Sequence, residues 1–229
     1  MTGQGDTIMK CRAILKFGLT LLLSTVLASC AQTTPSSRAV YLLIDTSGTY
    51  SQELAKAQAI LNYLLATLES GDSFAAARID SGSFSEKDII ARMTFDLRPS
   101  MANNQKRLFK NKMDEFVDSV KRGSAYTDIT GGVLQAAEYL NETGAREKYI
   151  LVFSDLKEDL KKGHIRNFPI TLSGIHVVAL NVTKLRTDNI DPRDYLRRLG
   201  AWQQRVINGG GDWRVVNDFD RLDTLIAVR

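Results

Sequence analysis

Short runs that are apolar at every position alternate along this chain with longer stretches in which apolar residues recur every third or fourth place. The first run, Tyr41-Leu42-Leu43-Ile44, breaks abruptly into Asp45-Thr46-Ser47-Gly48-Thr49. A run that short and that apolar suits a strand buried on both faces, as parallel strands of α/β proteins are. Leu54, Ala57, Leu61, Leu64, Leu65 and Leu68 then fall at helical spacing, with Gly71 as a stop, and predict an amphipathic helix of about five turns packed on a sheet. Phe74 to Ile79 and Ile89 to Phe95 read as strands, and the Ser81-Gly82-Ser83 turn between them predicts an antiparallel hairpin at a sheet edge. Phe109, Met113, Phe116, Val117 and Val120 mark a second helix ended by Gly123.

Thr127 opens a third helical stretch carrying Val133, Leu134, Ala137 and Leu140, with Gly144 beyond it. A second wholly apolar run, Tyr149 to Phe153, ends in Ser154-Asp155, and Gly174 to Asn181 makes another strand. Asp191 and Pro192 form a cap and first-turn pair for a helix bearing Leu196, Leu199, Trp202 and Val206. Trp213 to Val216 is a last short strand, and Leu222, Leu225 and Ile226 predict a terminal helix. This alternation predicts an α/β fold: a doubly wound, mostly parallel central sheet with one antiparallel edge strand and helices on both faces. There is no internal repeat and no low-complexity tract.

In open sheets of this kind ligands bind beyond the carboxyl ends of the strands, which is where the polar residues break the apolar runs. Asp45, Ser47 and Thr49 form an Asp-x-Ser-x-Thr element, Thr127 lies in Tyr126-Thr127-Asp128-Ile129-Thr130-Gly131-Gly132, and Asp155 ends the later run. In this order the three segments resemble the metal-ion-dependent adhesion site of a von Willebrand factor type A domain, over roughly residues 38 to 229. Thr49 stands where the family more often has Ser, which keeps the hydroxyl. Thr127 matches the family's distant Thr better than Thr130 does, because a small residue, Gly132, follows five positions later. The resemblance implies that Asp45, Ser47, Thr49, Thr127 and Asp155 hold Mg²⁺ or Mn²⁺, and that a protein partner fills an open coordination position with an Asp or Glu carboxylate. Two carboxylates and three hydroxyls are hard oxygen donors suited to those ions and unsuited to zinc or copper. Asp45 and Ser47 would also suit simple capping of the helix that follows.

The N-terminus carries separate information. Lys10, Arg12 and Lys16 precede an apolar stretch from Phe17 to Leu27 that is short for a membrane span, so residues 1–29 read as an export signal. Its end, Leu27-Ala28-Ser29-Cys30, resembles the bacterial lipobox, which implies acylation of Cys30; an ordinary secretory signal is the alternative. Met9-Lys10 is a more typical signal start than Met1. Residues 30–38 then form the lipidated Cys and a small, polar tether, and residues 39–229 the type A-like domain. Fully extended, the eight residues from Ala31 to Arg38 reach at most roughly 28 Å, so the domain works near its membrane. Ala31 after the Cys resembles the outer-membrane sorting signal of Gram-negative bacteria, which favours the periplasmic face of the outer membrane over the inner membrane.

Charge and cysteine content narrow the remaining choices. Loss of Lys10, Arg12, Lys16 and Asp6 with the signal takes 30 basic and 26 acidic side chains to 27 and 25, a net of +2, which gives little support to nucleic-acid binding. With Cys11 removed and Cys30 acylated, neither of the two cysteines remains for a disulfide or a nucleophile, and no small-molecule substrate is indicated. Asp45-Thr46-Ser47-Gly48-Thr49 also resembles the motif of Mg²⁺-dependent phosphoaspartate phosphatases. Ser47 replaces the expected general acid there, and Asp159 is the sole candidate for the second metal-holding acid. A structural lipoprotein that does not use its metal site is the third reading. His176 reads as a core or edge histidine and His164 as a solvated loop residue. Arg193, Arg197, Arg198 and Arg205 read as a solvated helix face, with anionic lipid headgroups as the alternative target. Glu158 and Asp159 read as loop charges near the metal.

Overall fold

The computed structural model describes residues 37–48, 50, 53–120, 123–185, 188 and 191–218. Cys30, the tether up to residue 36, Thr49 and the predicted terminal helix lie outside them, whereas Arg38, expected in the tether, is the first residue of the sheet. Strand β1 (Arg38–Asp45) is buried at all eight positions, which is why its sequence shows no polar face. Its even residues Val40, Leu42 and Ile44 enter one core layer. Its odd residues Ala39, Tyr41 and Leu43 enter the other.

Four helices and five more strands surround it: α1 (Leu54–Thr67), β2 (Ser73–Ile79), β3 (Ile89–Thr94), α2 (Pro99–Ser119), α3 (Ile129–Glu142), β4 (Glu147–Phe153), β5 (Ile175–Leu180), α4 (Pro192–Asn208) and β6 (Asp212–Val216). The sheet order is β3-β2-β1-β4-β5-β6. β1 pairs in parallel with β2 and β4, as β5 does with β4 and β6, and β3 runs antiparallel to β2 at one edge. Helices α1 and α2 supply one core layer through Leu61, Leu64, Phe109 and Met113. Helices α3 and α4 supply the other through Val133, Leu140, Trp202 and Val206. The molecule is therefore a doubly wound, mostly parallel α/β sheet with the strand order of Rossmann-like folds.

The structure refines three helix predictions. Helix α1 has 14 residues, about four turns rather than five, because Leu68 is already extended and Gly71, at φ 88°, shapes the turn beyond it. Helix α2 starts ten residues before Phe109, at Pro99 in the first turn. Only Ala102, Phe109 and Met113 of this helix are buried, so its first turns carry almost no apolar signal. Helix α3 is capped by Asp128, whose Oδ1 accepts the Gly131 N–H at 2.8 Å, and not opened by Thr127. Gly132, on the inner face of α3, lets this helix approach β1 closely: a Cβ there would lie 3.0 Å from Leu43 Cδ2.

Candidate metal centre

The register of the central strands sets out the site. Ile44 of β1 pairs with Phe153 of β4, so the next residues, Asp45 and Ser154, leave the sheet side by side. The Ser154 hydroxyl donates to Asp45 Oδ2 at 2.6 Å, and the Ser47 backbone N–H donates to Asp45 Oδ1 at 2.8 Å. Asp155 follows, its Oδ1 accepting the Lys157 N–H at 2.8 Å. Both carboxylates are covered: Asp45 is 1% and Asp155 4% exposed. Burial pushes the Asp45 carboxyl above its ordinary range, against the opposing hydrogen bonds from Ser154 and Ser47. Burial does the same to Asp155, offset in part by the Lys157 N–H, and the neighbouring Asp45 charge adds to the rise. Among the described residues neither carboxylate has a salt-bridge partner.

The other loops close in around this pair. Thr46 Oγ1 donates to the Ile79 carbonyl at 2.9 Å, and the Ser124 N–H donates to the Thr46 carbonyl at 2.7 Å. Ser47 bridges to Ser124. A Cβ on Gly123 would lie 2.2 Å from Gly48 Cα, so glycine is required where these two loops touch. Thr127 is 5% exposed and is held by a reciprocal backbone pair with Asp159, its N–H donating at 2.7 Å and its carbonyl accepting at 3.0 Å. Its hydroxyl has no hydrogen-bond partner among the described residues. The Thr130 hydroxyl, by contrast, accepts from Arg205 Nη1 at 2.6 Å. The structure thus sets Asp45, Ser47 and Asp155 at the carboxyl ends of β1 and β4 and holds Thr127 against Asp159 in the segment that follows β4, and Thr49 lies outside the described residues. The described residues contain no group of three or more His, Cys, Asp or Glu arranged to hold a metal; this cluster instead combines two carboxylates with hydroxyls.

Several residues that the sequence did not single out complete the site. Ser154 is fully buried against Asp45. Tyr50, 1% exposed, has its phenol pushed up far beyond the ordinary tyrosine value, first by burial, with Asp155, Asp45 and Glu53 contributing and Asn181 opposing. Leu156 and Asn181, just past the ends of β4 and β5, have φ of 64° and 53° and are the non-glycine residues with positive φ among those described. Backbone in this region carries strain, and such strain concentrates at functional sites. Beside the cluster a cleft of about 420 Å³ is lined by Thr46, Arg78, Asp80, Phe116, Val120 and Ser124. Burial raises the Asp80 carboxyl, but the Ser124 hydroxyl, the Ser81 N–H and Arg78 outweigh it and hold the group below its usual value.

The remaining charges have structural partners. Glu158 accepts the Thr130 N–H at 2.7 Å and lies 3.6 Å from Arg205. Asp159 is exposed, and its backbone holds Thr127. The four arginines of α4 do not form one basic face. Arg193 and Arg197 pair outward with Asp191 and Asp194. Arg198 turns inward to Asp188 and to the Asp155 carbonyl at 2.8 Å, and Arg205 to Thr130 and the Arg166 carbonyl. His176 sits at the other end of the sheet, 2.9 Å from Asp212 and stacked on Tyr149, in a second cleft of about 370 Å³. His164 is exposed in its loop. No helix among the described residues is long and apolar enough to cross a membrane.

No known protein-family profile matches the chain, and no curated protein matches it. A solved structure to which it is similar is an aerotolerance-related membrane protein from Bacteroides fragilis NCTC 9343 with multiple mutations to serines. The two share 15% identity over 83% of this chain and 96% of that one, with a TM-score of 0.43. That likeness is too loose to carry function, and the assignment of the fold rests on the strand order and directions.

Proposed function

We propose that this domain binds a protein partner through Mg²⁺ or Mn²⁺ held by Asp45, Ser47, Thr49, Thr127 and Asp155, with the partner contributing an Asp or Glu carboxylate to the metal. The observation that carries the reading is the pair of covered carboxylates, Asp45 and Asp155, on adjacent strand ends with no salt-bridging cation among the described residues. Buried charges are kept in proteins when they are paired or when they coordinate metals. The hydroxyl of Thr127, bound to nothing among the described residues, and the oxygen-only donor set fit a hard divalent ion. The burial of Asp45 under Ser47 and Ser154 suits a residue that holds and orients better than one that must attack a phosphate. The adjoining cleft would receive residues flanking the partner's acid.

Calorimetry on the full-length chain in detergent tests the metal: divalent-cation binding should be lost on Asp45→Ala, with native circular dichroism retained. Equal Mg²⁺ binding by wild type and Asp45→Ala would overturn the reading. Partners crosslinked in membranes with Mg²⁺ should disappear with EDTA and in Thr127→Ala. A partner that survives both uses another surface and leaves a scaffold that retains only the fold. The same reading places the domain in the cell envelope, anchored through acylated Cys30 and favouring the outer membrane. Cys30→Ser should shift it out of the membrane fraction or leave an uncleaved precursor, and normal lipid labelling of that variant would exclude the anchor.

A further inference from the structure

The segment carrying Ser47 and Thr49 ends in a tyrosine that is tied to a distant part of the chain. The Tyr50 hydroxyl donates to the Asn181 carbonyl at 2.5 Å and accepts from Asn181 Nδ2 at 2.8 Å, across 131 residues of sequence. The Tyr50 N–H donates to the Ser47 carbonyl at 2.9 Å, which ties the backbone of Tyr50 to that of Ser47. The ring also packs edge-on against Phe153, the last residue of β4, with centroids 5.0 Å apart. At the other end of the tie, Asn181 is fixed in a left-handed conformation with its N–H on the Val216 carbonyl at 3.1 Å. Its amide reaches Glu53 Oε2 at 3.2 Å, just before α1.

We propose that Tyr50 and Asn181 form a latch that positions the hydroxyl-bearing loop for the cation, with Tyr50 acting as a positioning residue and not as a ligand. The proposal rests on the metal reading above. Among the described residues the β1–α1 loop is attached to β1 by chain connectivity, to β2 by the Thr46 hydroxyl and to the Gly123–Ser124 segment by backbone contacts, with no strand of its own. The latch supplies that hold from β5. A loop fixed before the ion arrives loses less freedom on binding, which is how preorganisation raises affinity. Asparagine suits the β5 end because it tolerates the left-handed conformation and also brings an amide donor.

The competing explanation is that Tyr50 is simply a satisfied core tyrosine, and the two make different predictions. Tyr50→Phe keeps the ring and removes one oxygen, while Asn181→Gly keeps the left-handed backbone and removes the amide. Tyr41→Phe is the control, since Tyr41 is equally buried and bonds Gln135 at 3.3 Å, outside the latch. The readouts are Mg²⁺ affinity by calorimetry on the full-length chain in detergent and hydrogen exchange at the Ser47 and Gly48 amides. Tyr50→Phe and Asn181→Gly should each weaken Mg²⁺ about tenfold and speed exchange in the loop, whereas Tyr41→Phe should stay within about twofold of wild type, as residues that support a metal's ligands behave. Wild-type affinity in Tyr50→Phe, or an equal loss in Tyr41→Phe, would overturn the latch alone. A wild-type chain that binds neither Mg²⁺ nor Mn²⁺ overturns the metal reading and the latch with it.

Discussion

The two ends of β1 each bury acids, and they treat them differently. At the amino-terminal end Asp72, 3% exposed, accepts the Arg38 and Glu69 N–H groups at 2.8 Å each and lies 3.3 Å from the Arg38 guanidinium. At the carboxyl end Asp45 and Asp155 are covered as thoroughly, yet among the described residues they receive only hydroxyl and amide donors. The fold is able to place an arginine at that end, because Arg166 grips Asp128, the residue after Thr127, through Nε and Nη2. Arg198 comes close to Asp155 as well, but its hydrogen bond goes to the carbonyl, and its charge and that of Lys157 lower the carboxyl by less than burial raises it. A buried charge without a partner costs several kcal/mol. The contrast marks Asp72 and Asp128 as structural, and it supports the proposal that the Asp45 and Asp155 pair takes its cation from outside.

The harshest way to break the comparison is to give the balanced end the imbalance of the other. Arg38→Ala strands Asp72 with its two backbone donors but no cation, and breaking a buried pair in this way costs about 3 kcal/mol. Urea unfolding should show that loss as a lower midpoint at unchanged slope. A change below about 1 kcal/mol would mean that the backbone donors alone suffice, and the argument from the missing cation at the carboxyl end would weaken accordingly.

The converse experiment relieves the unbalanced end. The Asp155 carboxyl is raised in the folded state, so folded protein holds that proton more tightly than unfolded protein does. Stability is therefore lost as pH rises from the ordinary carboxylate value through the raised one. Asp155→Asn removes that titration and keeps an oxygen for the Lys157 N–H. In EDTA at pH 7 the variant should be more stable than wild type, and the gap should vanish below about pH 3.8, the ordinary value. Saturating Mg²⁺ should reverse the order, because only the wild type gains stability from binding. Asp155→Asn less stable than wild type in EDTA would show that the fold already compensates this charge.

How much of this was legible beforehand follows from burial. β1 and β4 stood out because both their faces are covered, and Asp45 and Asp155 stood out as the polar residues that end those runs. The start of α2 was hidden because its first turns bury only Ala102. Tyr50 and Asn181 were hidden because a hydrogen bond between residues so far apart leaves no local pattern. Asn181 did end an apolar run as Asp155 does, and that position was the available signal.

The smallest effects should come from α4, where sequence spacing alone was misleading. Arg193 and Arg197 are four residues apart, and Arg198 and Arg205 seven, so each pair shares a helix face. The step of five from Arg193 to Arg198 turns the helix well away from that face. The outer pair has side chains 82% and 70% exposed, each bonded to an acid of its own segment, Asp191 or Asp194. Exposed ion pairs of this kind contribute about 0 to 1 kcal/mol, so Arg193→Ala and Arg197→Ala should each shift stability by no more than that. Arg198 is 12% exposed and holds the fully covered Asp188, and Arg198→Ala should cost about 3 kcal/mol, as at Arg38. Urea titration of the three variants separates the faces: equal losses would return these three arginines to one solvated surface, whereas a loss confined to Arg198 extends to α4 the rule seen at the ends of β1, that among the described residues buried acids are paired except where Asp45 and Asp155 meet.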